Sequence, residues 1–155
     1  MREPRPEGGN IAAEHGGWGE DIAVSALRRR GYEIVERNSR PCKCDRRLEI
    51  DIIAYDRRND VMVFVEVKQH AAKSEWQRRM RSVNRRKLMN LRRACNAWKW
   101  KNAYKGSFRF DVIEIYGEPG CGSPEVDHIE RVCLFERPER FVRWTDGEEK
   151  KGKTK

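Results

Sequence analysis

Apolar residues recur every three to four positions in two stretches of the chain. The first repeat runs from Trp18 to Leu27 and stops before Gly31, which predicts a helix over residues 17–30. The second repeat predicts a helix over residues 82–98, with an apolar stripe at Leu88, Leu91, Cys95 and Trp98. The other positions of this second helix carry many Arg and Lys residues.

Five shorter stretches are rich in β-branched and aromatic residues and predict strands. They cover residues 32–38, 47–56, 61–69, 108–116 and 126–135. The second and third stretches flank a polar run, Arg57-Arg58-Asn59-Asp60, which predicts a hairpin turn. The resulting order α-β-β-β-α-β-β predicts an α/β or α+β domain with a mixed sheet.

Alternation along the predicted hairpin decides which side chains share a face. A turn centred midway between the two strands pairs residues whose numbers add to 117, which sets Asp51 opposite Glu66 and Glu49 opposite Lys68. A slip by one residue would set Asp51 against a valine, so the pattern favours the register that groups the charges. The other face of the first strand would carry Leu48, Ile50, Ile52 and Ala54.

Two carboxylates at opposite positions of a hairpin repel each other unless a proton or a cation lies between them. A divalent cation such as Mg²⁺ takes one or two carboxylates and completes its shell with water and phosphate oxygens. The alternative is a solvent-facing sheet with ordinary Glu–Lys cross-strand pairs, which contribute little to stability. Alternation alone leaves both interpretations open.

The chain has 155 residues, the length of one small domain. Residues 1–16 and 145–155 are expected to form a flexible N-terminal tail and a disordered basic C-terminal tail, with the domain at residues 17–144. No apolar run approaches the roughly 18 residues of a membrane span, and the N-terminus lacks a signal-peptide pattern. Five cysteines, an odd number, indicate reduced thiols. Together these features favour a cytoplasmic protein.

Positive charge is concentrated in one segment. Between Lys73 and Lys105 twelve basic residues accompany one acid, Glu75, so this segment carries +11 and the rest of the chain −2. Such a field suits a nucleic acid, although a solubilising surface is the alternative. Because no second acid is near in sequence, phosphate contacts are expected from Arg85, Arg86, Lys87, Arg92 and Arg93. Most aromatic residues of this segment are expected in the core, with base stacking as the alternative.

The run Asp51…Glu66-Val67-Lys68, on adjacent strands after a helix with Glu20, resembles the PD-(D/E)XK nuclease core. More closely, residues 16–133 resemble the YraN-like family of uncharacterised bacterial proteins. The matching pieces are Gly19-Glu20, Gly31-Tyr32, Glu49 to Ala54, Val63 to Lys68, Arg109 to Val112 and His128-Ile129. The chain departs from the family pattern at Leu48, where Gly is usual, and at Gln69-His70, where a polar-Arg pair is usual.

The resemblance implies a restriction-endonuclease-like three-layer core and metal-dependent hydrolysis of phosphodiester bonds in DNA. It implies that Asp51 and Glu66 bind Mg²⁺ or Mn²⁺, with the carbonyl of Val67 as a third ligand. Lys68 would orient the attacking water or stabilise charge at phosphorus. Glu20 would join the catalytic group through the water shell of the metal or a second ion. The alternative role of Glu20 is a favourable charge at a helix N-terminus.

Two classes of function stay open at this point. The first is an endonuclease acting on DNA, which the intact Asp-Glu-Lys set favours. The second is a non-catalytic nucleic-acid-binding protein on the same fold, and a protein-binding adaptor is a third, weaker alternative. Asp111 is interpreted as a buried partner of an arginine or the backbone, and His128 is given only a surface or local hydrogen-bonding role.

Overall fold

A computed structural model of the chain describes residues 11–73 and 85–132, and the side chains of residues 17–73 and 86–132. In chain order the elements are α1 (Ile11–Arg29), β1 (Tyr32–Ser39), β2 (Ile50–Asp56), β3 (Val61–His70), α2 (Arg85–Lys101), β4 (Phe108–Tyr116) and β5 (Glu125–Ile129). The predicted order α-β-β-β-α-β-β is confirmed. The predicted C-terminal tail and most of the predicted N-terminal tail lie outside the described residues.

The helix ends differ from the predicted ones by several residues. α1 begins at Ile11 and not at residue 17, because the helix formers at residues 12–14 outweigh the glycines that follow them. It ends where predicted, and Gly31 there adopts a φ of +88° that suits glycine. α2 continues to Lys101, three residues beyond its predicted end. Neither of the two described helices is long and apolar enough to cross a membrane.

The five strands of the described residues form one mixed sheet in the order β1-β2-β3-β4-β5. β1, β2 and β3 are antiparallel neighbours, β3 and β4 are parallel, and β4 and β5 are antiparallel. A parallel pair needs a crossover connection, and α2 lies in the segment that connects β3 to β4. The predicted mixed sheet is thereby confirmed.

Apolar side chains cover both faces of the sheet. α1 packs on one face, where the buried cluster includes Leu27, Ile52, Val65 and Ile113. α2 packs on the other face, where the cluster includes Phe64, Leu91, Cys95, Trp98 and Phe110. Burial of such side chains is worth roughly 1.5–3 kcal/mol each, so the two clusters hold the helices against the sheet. The result is the expected three-layer arrangement of helix, sheet and helix.

β2 departs from regular alternation at its start. Its pairing with β3 stops at Ile52↔Val65, whereas β1 stays paired with β2 as far as Ile50. Alternation predicts that Leu48 and Ile50 share the face of Ile52, but both pack in the α2 cluster. This prediction is therefore wrong, because the first residues of β2 turn away from β3. The separation of the two strands begins at Asp51.

The sulfur atoms of Cys42 and Cys44, in the loop between β1 and β2, lie next to each other. Their Cα atoms are 5.5 Å apart, a separation that a disulfide tolerates, and the state of these two thiols stays a prediction. Cys95 is a buried free thiol in the α2 cluster, and Cys121 is an exposed free thiol.

Candidate active site

The carboxylates of Asp51 and Glu66 come together where β2 leaves β3. The observed pairs follow the predicted register, and its continuation by one residue beyond Ile52↔Val65 sets Asp51 opposite Glu66. The Oδ2 atom of Asp51 accepts a 2.7 Å hydrogen bond from the backbone N–H of Val67. Both acids line one cavity, together with Arg47, Glu49, Arg86, Lys87, Asn90 and Leu91.

The surroundings of Asp51 disfavour the ionised form of its carboxyl group. Burial, and after it the neighbouring charge of Glu66, raise the pKa of Asp51 from 3.8 to about 7. The charge of Glu20 acts in the same direction, while the Val67 N–H and the Lys87 ammonium act in the opposite direction. Near neutral pH this carboxyl is therefore poised between its protonated and ionised forms.

Glu66 is the more buried acid, with 3% of its surface exposed. Its Oε1 atom receives no hydrogen bond of regular geometry from the described residues. The Nζ atom of Lys87 nevertheless forms an ion pair with this oxygen, and half of the Lys87 side chain is exposed. A buried carboxylate is costly without a compensating cation, so the charge of Glu66 depends on this ammonium or on a substitute for it.

Glu20 approaches the acid pair from α1 but has partners of its own on β1. Asn38 donates a 2.9 Å hydrogen bond to its Oε2 atom, and the Nη2 atom of Arg37 lies 3.6 Å from the same oxygen. Within the described ranges no three His, Cys, Asp or Glu side chains are grouped so that they would hold a metal ion. A metal at this site would therefore take two carboxylates and complete its shell with backbone and water oxygens.

The backbone of Val67 faces the same gap between the strands. In a strand the N–H and the C=O of one residue are directed toward the same neighbouring strand. Because the Val67 N–H is bonded to Asp51, its carbonyl is also directed toward β2. Lys68 lies on the face of β3 that carries Glu66 and is half-buried, although it does not line the cavity itself.

Glu49 lines the cavity without meeting Lys68, its predicted neighbour. The Nη2 atom of Arg40 instead donates to both oxygens of Glu49 at 3.2 Å. The predicted Glu49–Lys68 pairing is wrong, because β2 separates from β3 before Glu49 is reached. Sequence reasoning also missed Arg47 and Asn90 as lining residues. Asn90 had a usable signal, since it lies one helical turn beyond Lys87 on α2.

Two of the predicted nucleic-acid contacts, Arg86 and Lys87, lie at the rim of the acidic cavity near the start of α2. Arg93 lies 3.5 Å from the Oδ2 atom of Asp45. Tertiary structure thus brings acids from other elements to Lys87 and Arg93, although no second acid is near them in sequence. Arg92 is half-buried, and the side chain of Arg85 lies outside the described part of the chain.

A second polar cluster lies on the sheet face opposite the acid pair. Asp111 is fully buried and accepts hydrogen bonds from the Nε atom of Arg109, the backbone N–H of Arg131 and, at 2.8 Å, the Nε2 atom of His128. The interpretation of Asp111 as a buried partner is confirmed. His128 belongs to the interior, with 3% of its side chain exposed, so of the two roles predicted for it the hydrogen-bonding one is confirmed and the surface one is wrong.

Comparison with known proteins finds relatives along most of the chain. The profile described as "Uncharacterised protein family UPF0102" matches residues 19–115, a range that contains all four predicted catalytic residues. A UPF0102 protein of Clostridium kluyveri is 43% identical over 101 residues, which are 64% of this chain and 77% of the relative. UPF0102 proteins of Corynebacterium efficiens and Thermotoga maritima are 37% and 34% identical over 118 and 116 residues. These matches cover 76% and 74% of this chain, and 89% and 93% of the relatives. The chain therefore belongs to the UPF0102 family, the YraN-like family that its sequence resembles.

Proposed function

We propose that this protein is a cytoplasmic, Mg²⁺- or Mn²⁺-dependent nuclease that hydrolyses phosphodiester bonds in DNA. The observation that carries the proposal is the Asp51–Glu66 carboxylate pair beneath a rim of cations. Paired carboxylates in a polar cavity are suited to a metal ion, and the arginine and lysine side chains around them are suited to phosphate.

The residues at the site fit a hard divalent cation. Both Asp51 and Glu66 offer oxygen ligands, and burial together with the charge of Glu66 raises the pKa of Asp51 to about 7. A doubly charged ion would favour the ionised form of both acids. The carbonyl of Val67 offers a neutral oxygen, and water and phosphate would supply the remaining ligands, as Mg²⁺ usually requires.

The chemistry divides between the metal and the side chains of this chain. When bound, the metal would lower the pKa of a water molecule and polarise the scissile phosphate. Lys68 would orient that water or neutralise charge at phosphorus from the face of β3 that it shares with Glu66. Glu20, fixed by Asn38 and Arg37, would hold water at the edge of the group.

Lys87 would change partners when a metal ion is bound at the site. In the structure its ammonium compensates Glu66, the charge that a metal would compensate instead. With Asp51 and Glu66 holding a metal, Lys87 would be able to bind a phosphate beside Arg86 at the rim of the cavity. The same side chain would thus stabilise the metal-free site and then contribute to substrate binding.

The test is incubation of the pure protein with single-stranded, duplex and branched DNA in Mn²⁺, for the wild type and Asp51→Ala. We expect cleavage of at least one substrate by the wild type, loss of cleavage on chelation, and an inactive Asp51→Ala variant. Glu33→Ala on β1 is the matched control, because Glu33 pairs with Arg57 away from the cavity. Absence of cleavage by the wild type on every substrate would contradict the proposal.

A non-catalytic nucleic-acid-binding protein is the second candidate function. The Lys87–Glu66 ion pair favours it, because a site already compensated by an ammonium has less need of a metal. The two candidates differ in their response to Mn²⁺. An ion that binds only the folded state must raise the melting temperature, so a shift with the wild type that is absent in Asp51→Ala favours the nuclease.

A further inference from the structure

One face of α2 carries exposed side chains at regular helical spacing. Successive members lie three or four residues apart, which places them on one face of the helix: Arg86, Met89, Arg93, Asn96 and Trp100. Two of them are large and apolar, with Met89 58% exposed and Trp100 89% exposed. This exposed face runs from the rim of the acidic cavity to the far end of the helix.

Trp100 has no part in the core, unlike the tryptophan two residues before it. Trp98 is 5% exposed, packs against Phe64, and donates a 2.8 Å hydrogen bond from its indole nitrogen to Glu36. Trp98 is therefore the tryptophan of α2 that packs in the core. Trp100 instead borders a shallow surface groove with Asn96, Lys99, Ala103, Tyr104 and Lys105.

The surroundings of Trp100 are basic and contain no compensating acid in sequence. Residues 85–107 include eight Arg and Lys and no Asp or Glu. Lys105 is exposed and lines the groove with Trp100, Lys101 is exposed and follows Trp100 in sequence, and Lys99 lies over the ring of Phe108. Apolar protein partners would leave these ammonium groups poorly solvated, whereas a nucleic-acid strand offers both a base for the ring and phosphates for the lysines.

We propose that Trp100 is a stacking platform for an unpaired base of DNA, with Lys101 and Lys105 binding the adjacent phosphates. The inference rests on the proposed function and identifies its substrate class as DNA with a single-stranded segment. Trp100 lies fourteen positions after Arg86, about 21 Å along the helix axis. That length is about six nucleotides of a duplex strand, so the unpaired base would lie about six nucleotides from the acidic cavity.

The experiment measures binding without metal, so that it does not depend on cleavage. A fluorescently labelled twelve-nucleotide (dT) strand and a blunt twelve-base-pair duplex are titrated in chelator with wild type, Trp100→Ala, Trp100→Phe and Met89→Ala. Loss of one base–aromatic stack should weaken the binding of the single strand by about tenfold in Trp100→Ala. Trp100→Phe should retain most of the affinity, and Met89→Ala, on the same exposed face, should bind like the wild type. Blunt-duplex binding should be unchanged in all variants.

Equal affinity of the wild type and Trp100→Ala for the single strand would overturn the inference. A parallel loss on the blunt duplex would also overturn it, because the inference requires an unpaired base and a blunt duplex has none. The loss of single-strand affinity in a protein that cleaves nothing would support the platform while contradicting the nuclease. Since Trp100 is exposed, all variants should keep the wild-type melting temperature, which is measured alongside.

Discussion

The carboxylate of Asp51 accepts a 2.7 Å hydrogen bond from the backbone N–H of Val67 on the neighbouring strand. The bond lies where the backbone pairing of β2 with β3 has stopped, one residue beyond Ile52. A side chain therefore takes over a role that a backbone carbonyl has elsewhere in the sheet. This fixes Asp51 beside Glu66 in the gap between two strands, where an ion would find both acids.

Mn²⁺ binding at the proposed metal site is expected to be lost when either acid is removed. Asp51→Ala and Glu66→Ala should abolish Mn²⁺ binding, because each leaves a single carboxylate at the site. Lys68→Ala should retain Mn²⁺ affinity while losing cleavage, since an ammonium is not a ligand. Calorimetric titration with Mn²⁺ measures the affinities.

Glu49→Ala is the matched control for these acid variants. Glu49 lines the same cavity but is held by Arg40, so its loss should change Mn²⁺ affinity only slightly. Undiminished affinity in both Asp51→Ala and Glu66→Ala would show that the ion binds elsewhere.

The raised pKa of Asp51 predicts a specific pH dependence of stability. The pKa is about 7 in the folded protein against an ordinary 3.8, so the folded state binds the proton more tightly than the unfolded chain. The stability that this proton contributes is complete below about pH 4 and is lost as the pH rises through 7. Metal-free Asp51→Asn, which cannot ionise, should therefore match the wild type near pH 4 and melt at a higher temperature above pH 7.

Thermal melts of both proteins between pH 4 and pH 8 measure this difference. Saturating Mn²⁺ at pH 8 should reverse its sign, because the ion stabilises the wild type and not Asp51→Asn. A constant difference in melting temperature across the pH range would mean that Asp51 ionises in the ordinary range.

The sequence predicted the register of the hairpin because alternation leaves few choices. Phe64 and Val65 lie on opposite faces of β3 and both are buried, so a slip by one residue would place charged side chains against valines. The residue numbers of each observed β2–β3 pair add to 117, as predicted. The same reasoning failed for Leu48 and Ile50. Alternation assumes that a strand stays paired, and the point at which β2 leaves β3 depends on the tertiary contacts of its first residues with α2.

Charge partners were the least predictable part of the site. Lys87 and Glu66 are far apart in sequence, as are Arg93 and Asp45, and no local pattern marks either pair. The hydrogen-bond partner of His128 was equally unpredictable, because Asp111 belongs to the adjacent strand β4. Such contacts are set by the packing of whole elements, so residue spacing predicts the type of residue at a site better than its partners.

The buried cluster around Asp111 is expected to stabilise the fold without affecting the proposed metal site. Asp111→Ala would leave Arg109 and His128 without their shared acceptor in the interior, at a cost of about 3–5 kcal/mol in the free energy of unfolding. Mn²⁺ affinity of the folded fraction should be unchanged, because the cluster lies on the opposite face of the sheet. Denaturant titration gives the free energy of unfolding.

Asp21→Ala serves as the comparison for Asp111→Ala. Asp21 also pairs with an arginine, Arg37, but its side chain is 65% exposed, and exposed pairs contribute little. A loss of stability in Asp111→Ala no larger than that in Asp21→Ala would contradict the structural role of the buried cluster.

The start of α2 is expected to bind phosphates regardless of base sequence. Replacement of both Arg85 and Arg86 by Ala should weaken duplex DNA binding about equally for different sequences, since phosphate contacts fix position without reading bases. Each lost contact should lower the slope of log affinity against log salt by about 0.9, so the double variant should lose about 1.8. Fold and Mn²⁺ affinity should survive, because neither residue belongs to the apolar stripe of α2 or to the hairpin. Binding titrations at several salt concentrations provide the slopes.

A decrease in net charge alone would also weaken DNA binding. A control double variant, Arg28→Ala with Arg29→Ala, separates this effect from the loss of phosphate contacts. These arginines occupy the last turn of α1 and are exposed, so their replacement removes the same charge from another surface. If the α2 residues contact phosphate, the salt slope falls only in the Arg85/Arg86 variant, because counterions are released only where phosphates are neutralised. Equal slopes in the two double variants would make the start of α2 an ordinary solvated surface and would place the DNA on another part of the molecule.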